Sequence, residues 1–220
     1  VARLVRIDGG GVLLSTESWT DDPWRPTISI RLLLGHPRPL VAKRLFKDLA
    51  CLAVNRVSLF HSDLGERSYQ QSTGWQNVRK YLIEGARQGG HTLLPVVDRY
   101  DSLDAAIEPG NALRFACDVG TTDESLSVRD LLGRISGQWP RSGGPGGGKQ
   151  TSKPGESPDR GIQSVELVVG SERGLSSREV SVARRSGFGI VTLGPTILRT
   201  EVAATSICAA VRSEEIHALS

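Results

Sequence analysis

A chain of 220 residues with 38% hydrophobic and 23% charged residues has globular composition and is long enough for one large domain, or one domain with part of another. No apolar run approaches a membrane span, no leader-type segment is recognisable at the start, and a net charge of +3 permits an anionic partner without requiring one. Cys51, Cys117 and Cys208, like His36, His61, His91 and His217, fall at no metal-ligand spacing, so reduced thiols, no metal and a cytoplasmic location are expected.

The first elements are strand-like, "ARLVRI" and "GVLLSTES" around the turn at Gly9, Gly10 and Gly11. Two or three strands do not hold themselves folded, so residues 1–27 are expected to be the remnant of a small β-domain. The sequence contains no Met, not even at its start, which leads us to expect that it begins late. At residue 28 the rhythm changes. The buried-strand run "ISIRLLLG" leads to a helical stretch, "PLVAKRLFKDLACLAV", in which Val41, Leu45, Leu49 and Leu52 recur at helical spacing. Strand "RVSLF", a loop with Glu66, Arg67 and Ser68, a helix over 75–88, strand "TLLPVV", a short helix over 102–107 and strand "ALRFACD" follow. Strands alternating with helices predict a mostly parallel α/β sheet over 28–220.

Residues 136–161 interrupt this pattern. Rich in Gly, Pro and Ser and nearly free of apolar side chains, they read as a disordered insertion. Within them "GGPGGGKQTS" nearly spells a phosphate-binding loop through Gly143, Gly148 and Lys149. Gln150 stands where a magnesium-binding hydroxyl belongs, and neither strand nor helix frames the loop, so a chance match is the better reading. Strand "VELVV" then resumes the rhythm. It opens a loop between Gly170 and Gly174, followed by a helix with capping-box spacing at Ser176 and Glu179 and a C-terminal Gly187. Strand "GIVTL" delivers the chain to "LGPTILRTEVAA", which turns on Gly194 and Pro195 and enters an alanine-rich helix without a visible core period.

Both glycine loops leave the carboxyl end of a predicted parallel strand, where open α/β sheets place their ligands. Glycine lets backbone approach a ligand; equally, each of these glycines can serve only its own turn. Taken in order, the segment "ELVVGSERGLSSREVSVARRSGFGIVTLGPTILRTEVAATSICAAV" resembles the C-terminal signature of the RsmE family. These are SPOUT-class methyltransferases acting on uridine N3 of small-subunit (16S) ribosomal RNA. "LLLGHPRP", "KDLACLAVNRVSLFHSDLGERSYQQS" and "IEGARQGGHTLLPVV" are similar to the family's earlier elements. The pattern is G-P-E-G-G where this chain has G-S-E-R-G, and R-T-E-T-A where it has R-T-E-V-A.

The resemblance implies a trefoil-knotted α/β sheet, a truncated N-terminal β-barrel (PUA-like) remnant, and a homodimer in which each chain completes its partner's site. It implies S-adenosyl-L-methionine as cofactor, clasped by the two loops and the turn after "ALRFACD", with Gly170, Gly174, Leu193, Gly194, Leu198 and Thr200 in contact. Ala203, Ala204, Ala209 and Ala210 would suit close packing in the dimer, or simply favour a helix. Methyl transfer to uracil N3 needs alignment of donor and acceptor, and a cation or N–H donors near the flanking carbonyl oxygens. Arg199 meets the second need and would stabilise the uracil or its neighbouring phosphate, with Glu201 orienting it or assisting proton removal; a structural ion pair at a helix start is the plain alternative. RNA phosphates would meet Arg38, Arg44 and Arg67. A knotted relative that binds RNA or a partner without catalysis, and a methyltransferase of a different RNA, remain alternatives.

Overall fold

The computed structural model describes residues 2–8, 11–16, 18, 26–71, 73–119, 125–137 and 163–215. The near-phosphate-loop motif, and the Gly/Pro/Ser-rich stretch from residue 138 on, lie outside the described residues. At the start of the chain, β1 (Ala2–Asp8) and β2 (Gly11–Thr16) pair antiparallel as a two-stranded sheet of their own.

Seven strands form the second sheet: β3 (Ile28–Gly35), β4 (Arg56–Phe60), β5 (Val96–Tyr100), β6 (Leu113–Cys117), β7 (Leu126–Ser127), β8 (Gln163–Val169) and β9 (Gly189–Thr192), in the order β5-β4-β3-β8-β6-β9-β7. Every pairing in it is parallel. The central strands β3 and β8 are covered on both faces, which explains their continuous apolar runs. Helices α1 (Pro39–Cys51), α2 (Val78–Gly89), α4 (Val128–Ile135) and α6 (Thr200–Ser213) supply the core on one face; α3 (Leu103–Ala106) and α5 (Ser177–Arg185) supply it on the other.

Helix α1 starts on Pro39 and buries Ala42, Leu45, Phe46, Leu49 and Ala50, a stripe at i, i+3, i+4, i+7 and i+8. Helix α6 has the same kind of stripe, written in small residues. Thr200, Ala203, Ala204, Ile207, Cys208 and Val211 are its buried face, so the alanine-rich segment does carry a core period. Ala203 and Ala204 are spent on this chain's own core, whereas Ala209 is exposed and Ala210 partly so. Arg212 fastens the end of α6 to the sheet by donating to the carbonyls of Ile28, Leu52 and Ala53, while Glu215 accepts from Ile28 N–H at 2.6 Å.

Three sequence expectations shift. The fifth strand runs over 96–100 rather than 92–97, because Pro95 has no N–H to give a neighbour and pairing with β4 begins at Val96. The helix expected over 75–88 begins as a 3-10 turn (Thr73–Asn77) and becomes α-helical at Val78. Helix α4 was not foreseen, although Ser127 and Asp130 make a complete capping box and Leu131 and Ile135 lie buried one turn apart.

Toward the amino ends of the strands Arg56, Arg31, Glu166 and Arg114 stand side by side across β4, β3, β8 and β6. Glu166 takes Arg31 at 3.1 Å and Arg114 at 2.9 Å, so these buried charges are paired. At the opposite ends, β3 packs against the backbone of residues 170–171, whereas β6, β8 and β9 border a cleft.

Candidate functional site

The carboxyl ends of β6, β8 and β9 open onto one cleft, with a cavity volume of about 220 Å³. Residues 117–119 from the end of β6, 170–174 after β8, and 192–194 with 196–198 from the end of β9 line it, joined by Thr200 and Ala203 of α6. This is the position that strand direction alone predicts for a ligand in an open α/β sheet. Gly170, Gly174, Leu193, Gly194, Leu198 and Thr200, scattered over 31 positions of sequence, all line it.

The first loop is a tight reversal. Gly174 N–H donates to Ser171 O at 2.9 Å, and Gly174 itself has φ +81°. A Cβ at residue 170 would sit 2.4 Å from the carbonyl carbon of Gly174, so only glycine fits there. Ser171 is 3% exposed, and its hydroxyl has no hydrogen-bond partner. It occupies the place of the proline in the RsmE-type pattern, a slot with no polar demand. At the tip, the Glu172 carboxylate accepts from Arg38 N–H at 2.6 Å, at the start of α1. The Arg38 guanidinium is 3.9 Å away and largely solvated, so the charge-assisted bond to backbone and the helix terminus provide the anchor.

The base of the same wall is held by Glu179, which is fully buried. Its carboxylate completes the α5 capping box with Ser176 and also accepts from Asp63 N–H at 3.0 Å and Ser62 Oγ at 3.3 Å. Capping-box spacing is visible in the sequence; the reach across 116 residues to Asp63 is not.

The second loop bends at Gly194, which has φ +125° and, at its Cβ position, nothing within 4 Å. Backbone is therefore bare toward open space, beside the apolar walls of Leu193, Ile197 and Leu198. Thr200, 4% exposed, opens α6 at the inner edge. Arg199 is the N-cap residue, but its side chain makes no capping bond and projects exposed, while its carbonyl accepts from Ala203 N–H at 2.8 Å. No hydrogen bond or ion pair links Arg199 to Glu201 among the described residues, so the plain ion-pair reading of that helix start is not what the structure holds. Glu201 lies in the first turn of α6, where a carboxylate suits the helix dipole.

Of the arginines expected to meet RNA, Arg38 stands beside Glu172, Arg44 pairs with Asp48 at 3.8 Å on α1, and Arg67 is exposed in the 3-10 turn Arg67–Gln71. None of the three lines the cleft. Cys117 and Asp118, at the end of the expected strand "ALRFACD", and Val119, in the turn after it, do line it. Burial, and then the Asp118 carboxylate, push the Cys117 thiol up to about 12, so it offers no thiolate nucleophile near neutral pH. Asp118 is positioned by its N–H to Val191 O at 3.1 Å. No group of three or more metal-ligating side chains gathers among the described residues, and none of their helices is long and apolar enough to cross a membrane.

Comparison with known proteins agrees with this architecture. Residues 25–212 match the family model for the RNA methyltransferase domain. The chain is 27% identical over 184 residues to ribosomal RNA small subunit methyltransferase E of Treponema pallidum, covering 83% of this chain and 61% of that protein. It therefore spans about three-fifths of the length of the curated relatives it matches. Among solved structures, a probable rRNA-methyltransferase from Porphyromonas gingivalis aligns with a TM-score of 0.70 at 20% identity, covering 98% of this chain and 79% of the other. A ribosomal RNA small subunit methyltransferase E from Neisseria gonorrhoeae, bound to S-adenosyl methionine, aligns at 0.64 and 18%, covering 96% and 77%. At these identities the structural likeness is one of fold.

Proposed function

Because the chain belongs to the RNA methyltransferase domain family, we propose that it methylates RNA with S-adenosyl-L-methionine held in this cleft, and that the acceptor is uridine N3 of small-subunit ribosomal RNA. The observation that carries the proposal is the convergence of Gly170, Gly174, Leu193, Gly194, Leu198 and Thr200 on one cavity at the sheet's carboxyl end. The residues present suit the cofactor. The bare backbone at Gly194 can take polar edges at close range, and Leu193, Ile197 and Leu198 give a flat purine an apolar lining.

When bound, S-adenosyl-L-methionine supplies a methyl group on a sulfonium, ready for displacement by a ring nitrogen. The protein's task is alignment and charge. Uracil N3 loses its proton as it is methylated, and the electron density of that nitrogen spreads onto O2 and O4. Arg199, uncommitted to cap or ion pair and placed between the cleft-lining Leu198 and Thr200, is the cation for those oxygens. Glu201, unpaired with Arg199, is the acceptor for the N3 proton. Ribosomal RNA as substrate implies a cytoplasmic protein.

The proposal extends to topology and assembly. The segment after β8 is threaded as a trefoil knot; in support, β8 and β9, last in the chain, lie between earlier strands, β8 beside β3 and β6, and β9 beside β6 and β7. Two chains pair, with exposed Leu40, Ile197 and Val202 as apolar contacts. The antiparallel pair of β1 and β2 belongs to a β-barrel RNA-binding domain. The test is incubation with unmodified small-subunit ribosomal RNA and isotope-labelled donor, followed by nucleoside mass spectrometry. Label in 3-methyluridine at one site is expected. Label in another nucleoside would move the acceptor elsewhere, and none at all from a chain that binds the cofactor would make it a non-catalytic relative.

A further inference from the structure

Arg173 is a charged group that the chemistry above leaves unused. It shares the tip of the 170–174 turn with Glu172, is exposed, and lines the cleft. Among the described residues its guanidinium has neither hydrogen bond nor ion pair. The neighbouring Glu172 carboxylate is turned instead to Arg38, whose backbone N–H it accepts at 2.6 Å. The tip is also held in place. The Gly174-to-Ser171 bond closes the turn, and the close approach at Gly170 leaves it little room to shift. An unpartnered cation is therefore carried on a fixed support at the mouth of the cavity.

We propose that Arg173 binds a backbone phosphate of the acceptor RNA and so holds the strand across the cleft mouth. This rests on the RNA methyltransferase reading of the cleft. A guanidinium offers two parallel N–H groups to phosphate oxygens and stays charged at any working pH. The exposed tip favours phosphate over the carboxylate of a small ligand bound deeper, among Gly170, Leu193 and Thr200. Arg199 lies on the other loop, flanked by cleft-lining residues, so a strand held at Arg173 would bring its base between two cations. The RsmE-type pattern carries glycine at this place, so the contact belongs to this chain.

The experiment measures two affinities on the full chain: S-adenosylhomocysteine by calorimetry, and a fluorescein-labelled, unmodified small-subunit ribosomal RNA transcript over a series of salt concentrations. Arg173→Ala is expected to leave the S-adenosylhomocysteine affinity unchanged. It should weaken RNA binding about tenfold and lower the slope of log K against log salt by about 0.7–0.9, the value of one lost phosphate contact. Arg173→Lys should restore the slope, and Arg185→Ala, the same charge change at an exposed residue outside the cleft lining, should not reproduce the loss. An RNA affinity and slope unchanged by Arg173→Ala would overturn the assignment, as would a loss of S-adenosylhomocysteine affinity, which would make the partner the cofactor's carboxylate. Failure of the unaltered chain to bind S-adenosylhomocysteine would instead remove the methyltransferase reading, with the RNA titration still deciding whether Arg173 meets phosphate.

Discussion

Gly170 and Gly194 are both cleft glycines, but they do different work. A methyl group at 170 would meet the backbone of residue 174 at 2.4 Å, and backbone cannot step aside as a flexible side chain can. Gly170→Ala is expected to cost about 1–3 kcal/mol in denaturant unfolding, and to weaken S-adenosylhomocysteine binding at least tenfold by displacing the turn. At 194 the space is open and only the backbone angle resists, so Gly194→Ala should cost about 1 kcal/mol. His36 yields a pH prediction. It is 2% exposed, packs edge-on against Trp75, and its Nδ1 has no partner; burial, then the positive neighbours Arg99 and His61, lower its pKa to about 4. Below the unfolded value of about 6.5 the unfolded chain takes up a proton that the folded chain refuses. Stability should therefore be full above that value and fall as pH drops from about 6.5 toward 4. Unfolding curves should lose that dependence in His36→Phe, which keeps an aromatic ring against Trp75. At this scale the sequence was legible where backbone geometry demands glycine. It was not legible at Arg199 and Glu201, whose proximity along the chain suggests a pair that the helix start does not form.

The elements hold the loops by bonds that skip long stretches of chain. Glu172 ties the first loop to the start of α1 through the N–H of Arg38, so the donor survives any change of the Arg38 side chain. Glu172→Ala should lower S-adenosylhomocysteine affinity severalfold while changing global stability by no more than about 1 kcal/mol. Arg38→Ala should leave that affinity nearly intact; equal losses in the two variants would show that the ion pair, not the backbone bond, is the anchor. Helix α6 shows why one element was hard to read. Its core face uses Thr200, Ala203, Ala204 and Cys208, residues whose small side chains barely register in a hydrophobic pattern, yet they let the helix lie close over β3 and β8. Helix α1, written in Leu and Phe, was plain. Pro95 displaced β5 by the same local chemistry that could have been read in advance.

For the whole molecule, alternation of strands and helices was enough to give a parallel α/β sheet, but not its order. Local pattern says that β8 and β9 exist; it cannot say that they lie between earlier strands, because that depends on which gap their side chains fill. The same insertion gathers three strand ends into one cleft. Leu40 at 91% and Ile197 at 86% exposure are costly to leave in water, and Val202 is exposed on α6. A dimer that covers them should appear in sedimentation of the full chain, and Leu40→Asp with Val202→Asp should shift it toward monomer; a monomer at all concentrations would remove the pairing.

The measurement that reaches the centre of the account is calorimetric titration of S-adenosylhomocysteine into the folded chain, beside Gly194→Trp. Residue 194 faces open space in the cleft, so an indole there should fill the cavity. Saturable one-site binding by the unaltered chain, abolished by Gly194→Trp, is the predicted result. No binding by a verified folded chain, or binding that the indole leaves untouched, would contradict the assignment of this cleft to the methyl donor.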